Sequence, residues 1–141
     1  MPLKFHHFGL AVRTPEPSRA LLETLGYAIG EPVYDGNQKV WVQMCVPRNA
    51  LSTLASSLPD VEIIYSTETG GPLHNHLRSA DESIYHICFE SESIEVALNI
   101  FRSSGNRVLR VSAAKPAPLF GGRLVAFYHV QGLGLVEILG A

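Results

Sequence analysis

The chain has 141 residues, 46% hydrophobic and 17% charged, with a formal net charge of −2. At about 150 residues per domain, that length predicts one compact domain or two very small ones. The charged fraction lies below the roughly 25% of an average soluble domain, and the near-neutral balance excludes the basic stripe that a nucleic-acid binder needs to release counterions. The apolar content excludes disorder. The longest apolar runs, such as Phe8 to Val12, fall far short of the ~20 residues that span a bilayer. Met1 to His7 lacks a signal-peptide apolar segment. Cys45 and Cys88 sit in apolar sequence without Cys-x-x-Cys spacing, which reads as two buried thiols in a reducing compartment. These features predict a cytoplasmic globular protein with no nucleic-acid or membrane partner.

Phe5–Val12 reads as a first strand. Thr14-Pro15-Glu16-Pro17 then opens a helix, with Thr14 as cap and an early proline tolerated. The helix is expected over Ser18–Leu25, with Ala20, Leu21, Leu22 and Leu25 as its apolar stripe, and Gly26 ends it. Tyr27–Tyr34 and Lys39–Val46 read as strands around the Asp35-Gly36-Asn37 turn. Pro47–Pro59 is a polar connection and Val61–Tyr65 a further strand. After a loop containing Gly70-Gly71-Pro72 the same order returns. Ser83–Glu90 is a strand, and Ile94–Ser104 a helix with Ile94, Ala97, Leu98 and Phe101 at helical spacing, ended by Gly105. Arg107–Ser112 and Arg123–Val130 are strands separated by the Pro- and Gly-rich Ala113–Gly122, and Leu135–Leu139 is the last strand.

The halves also agree in sequence. Val61-Glu62-Ile63-Ile64 returns as Val136-Glu137-Ile138-Leu139, an offset of 75, and His7 returns as His86, an offset of 79. A repeat on this scale decides the fold. Modules of about 60 residues bury little core alone, so the two are expected to fold together.

Strand side chains alternate between faces. His7 shares a face with Phe5, Gly9 and Ala11, whereas His6 lies opposite. His86 shares a face with Cys88. Glu62 and Glu137 are each the one charged residue of an aliphatic strand. A carboxylate there is costly to bury unpaired, and an exposed strand face would explain one such residue better than two at equivalent repeat positions. The two His–Glu pairs are therefore expected to converge on one divalent metal ion. Imidazole and carboxylate suit Zn, Ni, Co, Mn or Fe. Four protein ligands plus waters would make an octahedral site, leaving positions for substrate oxygens.

Other residues carry weaker signals. His6 reads as a packing or surface residue, His129 as structural, and His74 and His76 as solvated. Gly121-Gly122-Arg123 could bind a phosphate, although a Gly pair before a strand is more often a turn. Arg13, Arg78, Lys115 and Arg123 are the cations nearest loop ends and could meet a phosphate or carboxylate of a substrate; single surface charges are more often solvated.

The two strand–helix–three-strand modules with His…Glu…His…Glu resemble the vicinal-oxygen-chelate superfamily over essentially the whole chain. The matching segments are Phe5–Val12, Val61–Ile64, Tyr85–Glu90 and Leu135–Leu139. The resemblance implies an α+β fold in which two βαβββ modules, 5–66 and 83–141 with a connecting loop 67–82, form a cup-shaped mixed sheet around one metal. It implies that His7, Glu62, His86 and Glu137 are the ligands. Within the superfamily the chain most resembles methylmalonyl-CoA epimerase and its glyoxalase-like relatives. The run His86-Ile87-Cys88-Phe89-Glu90 is close to the epimerase pattern, as are Gly71-Pro72-Leu73 and Leu77, where the epimerases have a short helix. Those epimerases carry a second acidic base at a position that aligns near Asn37. Asn cannot take a proton, so either Asp35 or Glu31 substitutes through a shift of register or the two-base epimerisation does not occur here.

The implied activity is metal-assisted proton abstraction or transfer next to a carbonyl, an epimerase or isomerase reaction on a small acyl thioester of coenzyme A or a carrier protein. Polarisation of the carbonyl lowers the α-proton's pKa and stabilises the enolate. Glu137 is the expected base, with Glu62 second. The alternatives are a glyoxalase I-type lyase acting on a thiol adduct, and a non-catalytic small-molecule binding protein of the resistance type. A homodimer is expected from the resemblance.

Overall fold

The computed structural model describes residues 2–48, 58–68 and 71–141. The fold is α+β, with ten strands in mixed pairing and three short α-helices among the described residues. No helix among them is long and apolar enough to cross a membrane. Residues 49–57 of the connection expected from Pro47 to Pro59, and Gly70, lie outside the described residues.

Contacts divide the chain into two compact units, Phe8–Tyr85 and the combination of Met1–His7 with His86–Ala141. In the Phe8–Tyr85 unit, the later part of β1 (Leu3–Val12) runs parallel to β5 (Val61–Tyr65). Next to β5 is β4 (Val40–Pro47), antiparallel, and β4 also pairs with β2 (Tyr27–Ile29) and β3 (Val33–Asp35). One sheet face is covered by α1 (Glu16–Thr24). There Leu22 joins Val12, Tyr27, Cys45 and Ile63 in a buried core.

Several boundaries differ from the sequence expectation, each for a local reason. The first helix starts at Glu16, and Pro15, not Thr14, occupies the N-cap position without a side-chain bond. Pro15 already has helical angles (φ −79°, ψ −17°) and Pro17 follows within the first turn, so rings of fixed φ begin the helix in place of a cap. The expected strand Tyr27–Tyr34 breaks into β2 and β3. At the break, Gly30 N–H bonds Met44 O at 2.8 Å, and a Cβ on Gly30 would come within 2.7 Å of that oxygen. Pro32 then lacks the N–H that a continuous ladder needs. Within the connecting loop lies α2 (Gly71–His76), which seats Leu73 and Leu77 in the interior. Gly26 ends α1 with φ 98°, a left-handed conformation that suits glycine.

In the other unit the strand order is β6 (Glu82–Ser91), β10 (Gly134–Leu139), β9 (Leu124–Val130) and β7 (Val108–Arg110), with β8 (Lys115–Pro116) also on β9. Here β6 and β10 are parallel and the other pairs antiparallel. The helix α3 (Ile94–Arg102) opens on Ser93, whose hydroxyl accepts Val96 N–H at 3.1 Å. Its Ala97 and Leu98 pack on Ala126, Tyr128, Val130, Val136 and Ile138. The expected strand Arg107–Ser112 is cut to three residues because Val111 N–H and Ser112 N–H both reach Phe127 O, at 2.8 and 3.3 Å. Two residues facing one end the regular ladder as a β-bulge does.

Cys45 and Cys88 are both free thiols, fully buried. Burial pushes the Cys45 thiol up to about 11, the Arg19 charge offsetting only part of that.

Candidate metal centre

Val136 and Ile138 pack against α3, so Glu137 between them points to the opposite face of its sheet. In β1, His7, Gly9 and Ala11 are buried, and in β6 His86 and Cys88 are, as strand alternation requires. Glu137 on β10 lies across from Cys88 on β6 and from Phe127 on β9. Cys88 is two residues past His86, so Glu137 and His86 are offset by about 6.6 Å along their strands. Side chains as long as Glu and His can close that gap from the same face.

They close it onto a third residue. Glu137 Oε1 lies 3.3 Å from His86 Nε2 and 3.3 Å from His7 Nε2, and the two imidazole nitrogens are themselves 3.3 Å apart. All three side chains are nearly or wholly inaccessible, His7 completely so. Glu137 Oε1 makes no hydrogen bond despite these approaches. Burial alone would push the Glu137 carboxyl up, but the two imidazoles beside it outweigh that and hold it below the usual carboxylate range.

A triangle of two imidazole nitrogens and a carboxylate oxygen fits a divalent metal. Ligand atoms about 2.1 Å from one ion stand roughly 3.0 Å apart at right angles and about 3.4 Å apart at the tetrahedral angle. The 3.3 Å edges fall within that interval. The buried oxygen without a hydrogen bond is the kind of atom a cation would satisfy.

Aromatic rings hold the imidazoles. Phe120 stacks on His7, with centroids 5.6 Å apart, and Phe127 meets His86 edge-on at 5.3 Å. Phe120 is presented by a 3-10 turn, Pro118–Phe120, which Gly121 and Gly122 close with positive φ. The Gly121–Gly122 pair therefore serves a turn. Arg123 is committed too. It pairs with Glu90 at 2.8 Å and donates from Nε to Gly140 O at 2.8 Å. The Arg123 guanidinium bonded to Glu90 holds that carboxyl below its usual range.

Glu62, the remaining expected ligand, belongs to the Phe8–Tyr85 unit, where β5 holds it buried across from Gly9 and Met44. Asp35 is spent on its turn, its carboxylate accepting Asn37 N–H at 2.9 Å, Gln38 N–H at 3.3 Å and Gln38 Nε2 at 3.0 Å. Glu31 is exposed. Arg13 pairs with Asp81 at 3.1 Å and also donates to Leu77 O. Arg78 contacts Asn75 at 3.3 Å, and Lys115 is exposed. His74 and His129 are exposed, as is His76, which contacts Ser83 Oγ at 3.0 Å.

His6, expected as a packing or surface residue, is half-buried, and its Nδ1 lies 2.8 Å from His7 Nδ1. Alternation fixes where the Cα–Cβ bond points, but an imidazole can swing back toward its neighbour through two torsions. Phe120 meets the His6 ring edge-on at 5.4 Å. The His-His doublet was the available signal.

The family model of the Glyoxalase/Bleomycin resistance protein/Dioxygenase superfamily matches residues 6–127, and the chain belongs to that superfamily. Among characterised relatives it is similar to the ethylmalonyl-CoA/methylmalonyl-CoA epimerase of Cereibacter sphaeroides, 26% identical over 141 residues that cover 96% of each chain. Among solved structures it is similar to the methylmalonyl-CoA epimerase of Mycobacterium tuberculosis (TM-score 0.73, 14% identity, 96% of this chain and 86% of that one). It is also similar to a variant of the Streptomyces coelicolor methylmalonyl-CoA epimerase in complex with 2-nitronate-propionyl-CoA (TM-score 0.70, 20% identity, 98% of this chain and 96% of that one). The sequence resemblance and these matches agree on the superfamily and on epimerases as the relatives.

Proposed function

We propose that the protein is a metal-dependent enzyme that moves a proton next to the carbonyl of a small acyl-coenzyme A thioester, in the manner of a methylmalonyl-CoA epimerase. The observation that carries this reading is the convergence of His7 Nε2, His86 Nε2 and Glu137 Oε1 at mutual distances of 3.3 Å. The epimerase relative, aligned over 96% of both chains, supports the reaction class. A carrier-protein thioester would present the same reacting carbonyl.

His7, His86 and Glu137 would hold one divalent ion, which when bound supplies Lewis-acid polarisation of a carbonyl oxygen. Glu62 is the fourth ligand in this reading; its support is the repeat, since it occupies in β5 the place that Glu137 occupies in β10. The carboxylates divide the work. Glu137 Oε1 lies between two imidazole nitrogens at 3.3 Å each, which suits it to hold a cation. In this reading Glu62, the second of the two bases expected from sequence, takes the α-proton and leaves the electron pair on the carbonyl oxygen as an enolate, then returns a proton to the same carbon. Return to the original face gives exchange alone; inversion needs a proton delivered to the opposite face by a second donor.

Incubation of metal-loaded protein with methylmalonyl-CoA and ethylmalonyl-CoA in D₂O tests the reading. Deuterium at the α-carbon, lost in Glu62→Gln while bound metal is kept, is the expected result. Binding of the thioesters without exchange would mark a binding protein and overturn the enzymatic reading.

A further inference from the structure

We infer that His6 is a positioning residue that fixes the tautomer of His7 by accepting its Nδ1 proton. The inference deepens the metal reading above and rests on it for its functional meaning. Its structural content stands on the His6–His7 contact itself.

The argument starts from the two nitrogens of one ring. His7 Nε2 points at Glu137 Oε1 and His86 Nε2, both at 3.3 Å. To serve as a ligand, Nε2 must offer a lone pair, and a neutral imidazole then carries its proton on Nδ1. That Nδ1 is 2.8 Å from His6 Nδ1, a hydrogen-bond distance between two nitrogens of which one must donate and the other accept. With the proton on His7 Nδ1, His6 Nδ1 is the acceptor. The His6 proton is then on its Nε2. One assignment on the metal side thus settles both rings.

A second metal shared by the two Nδ1 atoms is the competing account, since His6, His7 and Cys88 bring donor atoms within 4.8 Å of one another. The two accounts differ in their protons: a metal shared by both Nδ1 atoms would leave neither protonated, whereas a hydrogen bond at 2.8 Å keeps one proton between them. The pair is built to last. Phe120 touches both rings, stacked on His7 and edge-on to His6. The backing group of a ligating histidine is commonly a carboxylate, carbonyl or water. Here it is a neutral ring, which orients His7 without adding a negative charge beside the one on Glu137.

Long-range ¹H–¹⁵N correlation spectra of the Zn(II)-loaded protein read the tautomers directly. The expected result is a proton on Nδ1 of His7 and on Nε2 of His6; a proton on Nδ1 of His6 overturns the inference. Chelator competition with Zn(II) then measures affinity. His6→Leu should weaken Zn(II) binding by about 10- to 100-fold, the usual effect of losing a backing partner. His6→Asn, which keeps an acceptor oxygen, should recover most of that loss. Unchanged affinity and unchanged His7 tautomer in His6→Leu also overturn it. Should His6→Leu fail to fold, the wild-type spectra and His6→Asn still decide. A wild-type protein that takes up no metal defeats the proposed function, while a change in the His7 ring-nitrogen shifts between wild type and His6→Leu, read without metal, still judges the pairing of the rings.

Discussion

Glu137 on β10 stands directly across from Cys88 on β6, two residues beyond His86. The other unit repeats the register, for Glu62 on β5 stands across from Gly9 on β1, two residues beyond His7. Each parallel pair thus offers a glutamate one diagonal step from a histidine. The repeat is one of strand register as well as of sequence.

That step sets the length of the acid. Glu137→Asp shortens the side chain by one methylene and should leave the carboxylate out of reach of both imidazoles. Metal affinity is expected to fall by more than ~100-fold, beyond the loss seen for backing partners. Chelator competition followed by metal analysis checks this. Loss of bound metal should also lower thermal stability, because a ligand at 100 times its Kd contributes ~2.7 kcal/mol.

Gln43 bridges three elements of the Phe8–Tyr85 unit. It accepts from Arg19 Nε at 2.7 Å and donates to Gly30 O at 2.7 Å, buried on the helix side of β4. Gln43→Leu keeps the volume and removes both bonds. A buried carbonyl left without a donor costs about 1 to 3 kcal/mol. Urea unfolding should show a lower midpoint with an unchanged slope.

Ser93→Ala removes the side-chain acceptor for Val96 N–H at the start of α3. The expected loss is about 1 kcal/mol. Circular dichroism during thermal unfolding measures it, and Ser93→Asp, which restores an acceptor, should recover most of it.

Cys45 gives a pH signature. Folding raises its pKa from 9.0 to about 11, so between those values the unfolded chain binds fewer protons than the folded one. Stability should therefore fall as pH rises from about 9 to 11. Cys45→Ser, read against wild type in denaturant titrations across that range, should flatten the fall. At pH 8 the thiol should react with an alkylating reagent only as fast as the protein opens.

The parts legible in the sequence were those set by periodicity and by local chemistry. The strand Val61–Tyr65 has the bounds that its apolar run suggests. The helix ends at Gly26 and Gly105 follow from glycine's access to positive φ. His7, His86 and Glu137 were legible because the repeat singled out polar residues in apolar strands. The breaks depend on partners distant in sequence. Nothing near Gly30 announces that Met44 O will approach it, and the bulge at Val111 and Ser112 depends on Phe127 across the sheet. The contact of His6 with His7 was not legible, because alternation describes strands, not the swing of a ring toward its neighbour. Pro15 displaced Thr14 as the helix start because a pre-set φ replaced a hydrogen bond.

The division of β1 has a consequence for biogenesis. Phe8–Tyr85 is contiguous in sequence, whereas the unit holding His7, His86 and Glu137 takes its first seven residues from one end of the chain and the rest from the other. A ribosome delivers residues at about 5 to 20 per second. The contiguous unit is fully made while synthesis continues, but His7 must wait for Glu137, 130 residues later. A metal site built on His7, His86 and Glu137 would therefore be completed late in the life of each nascent molecule. A truncated product ending before β10 would lack Glu137.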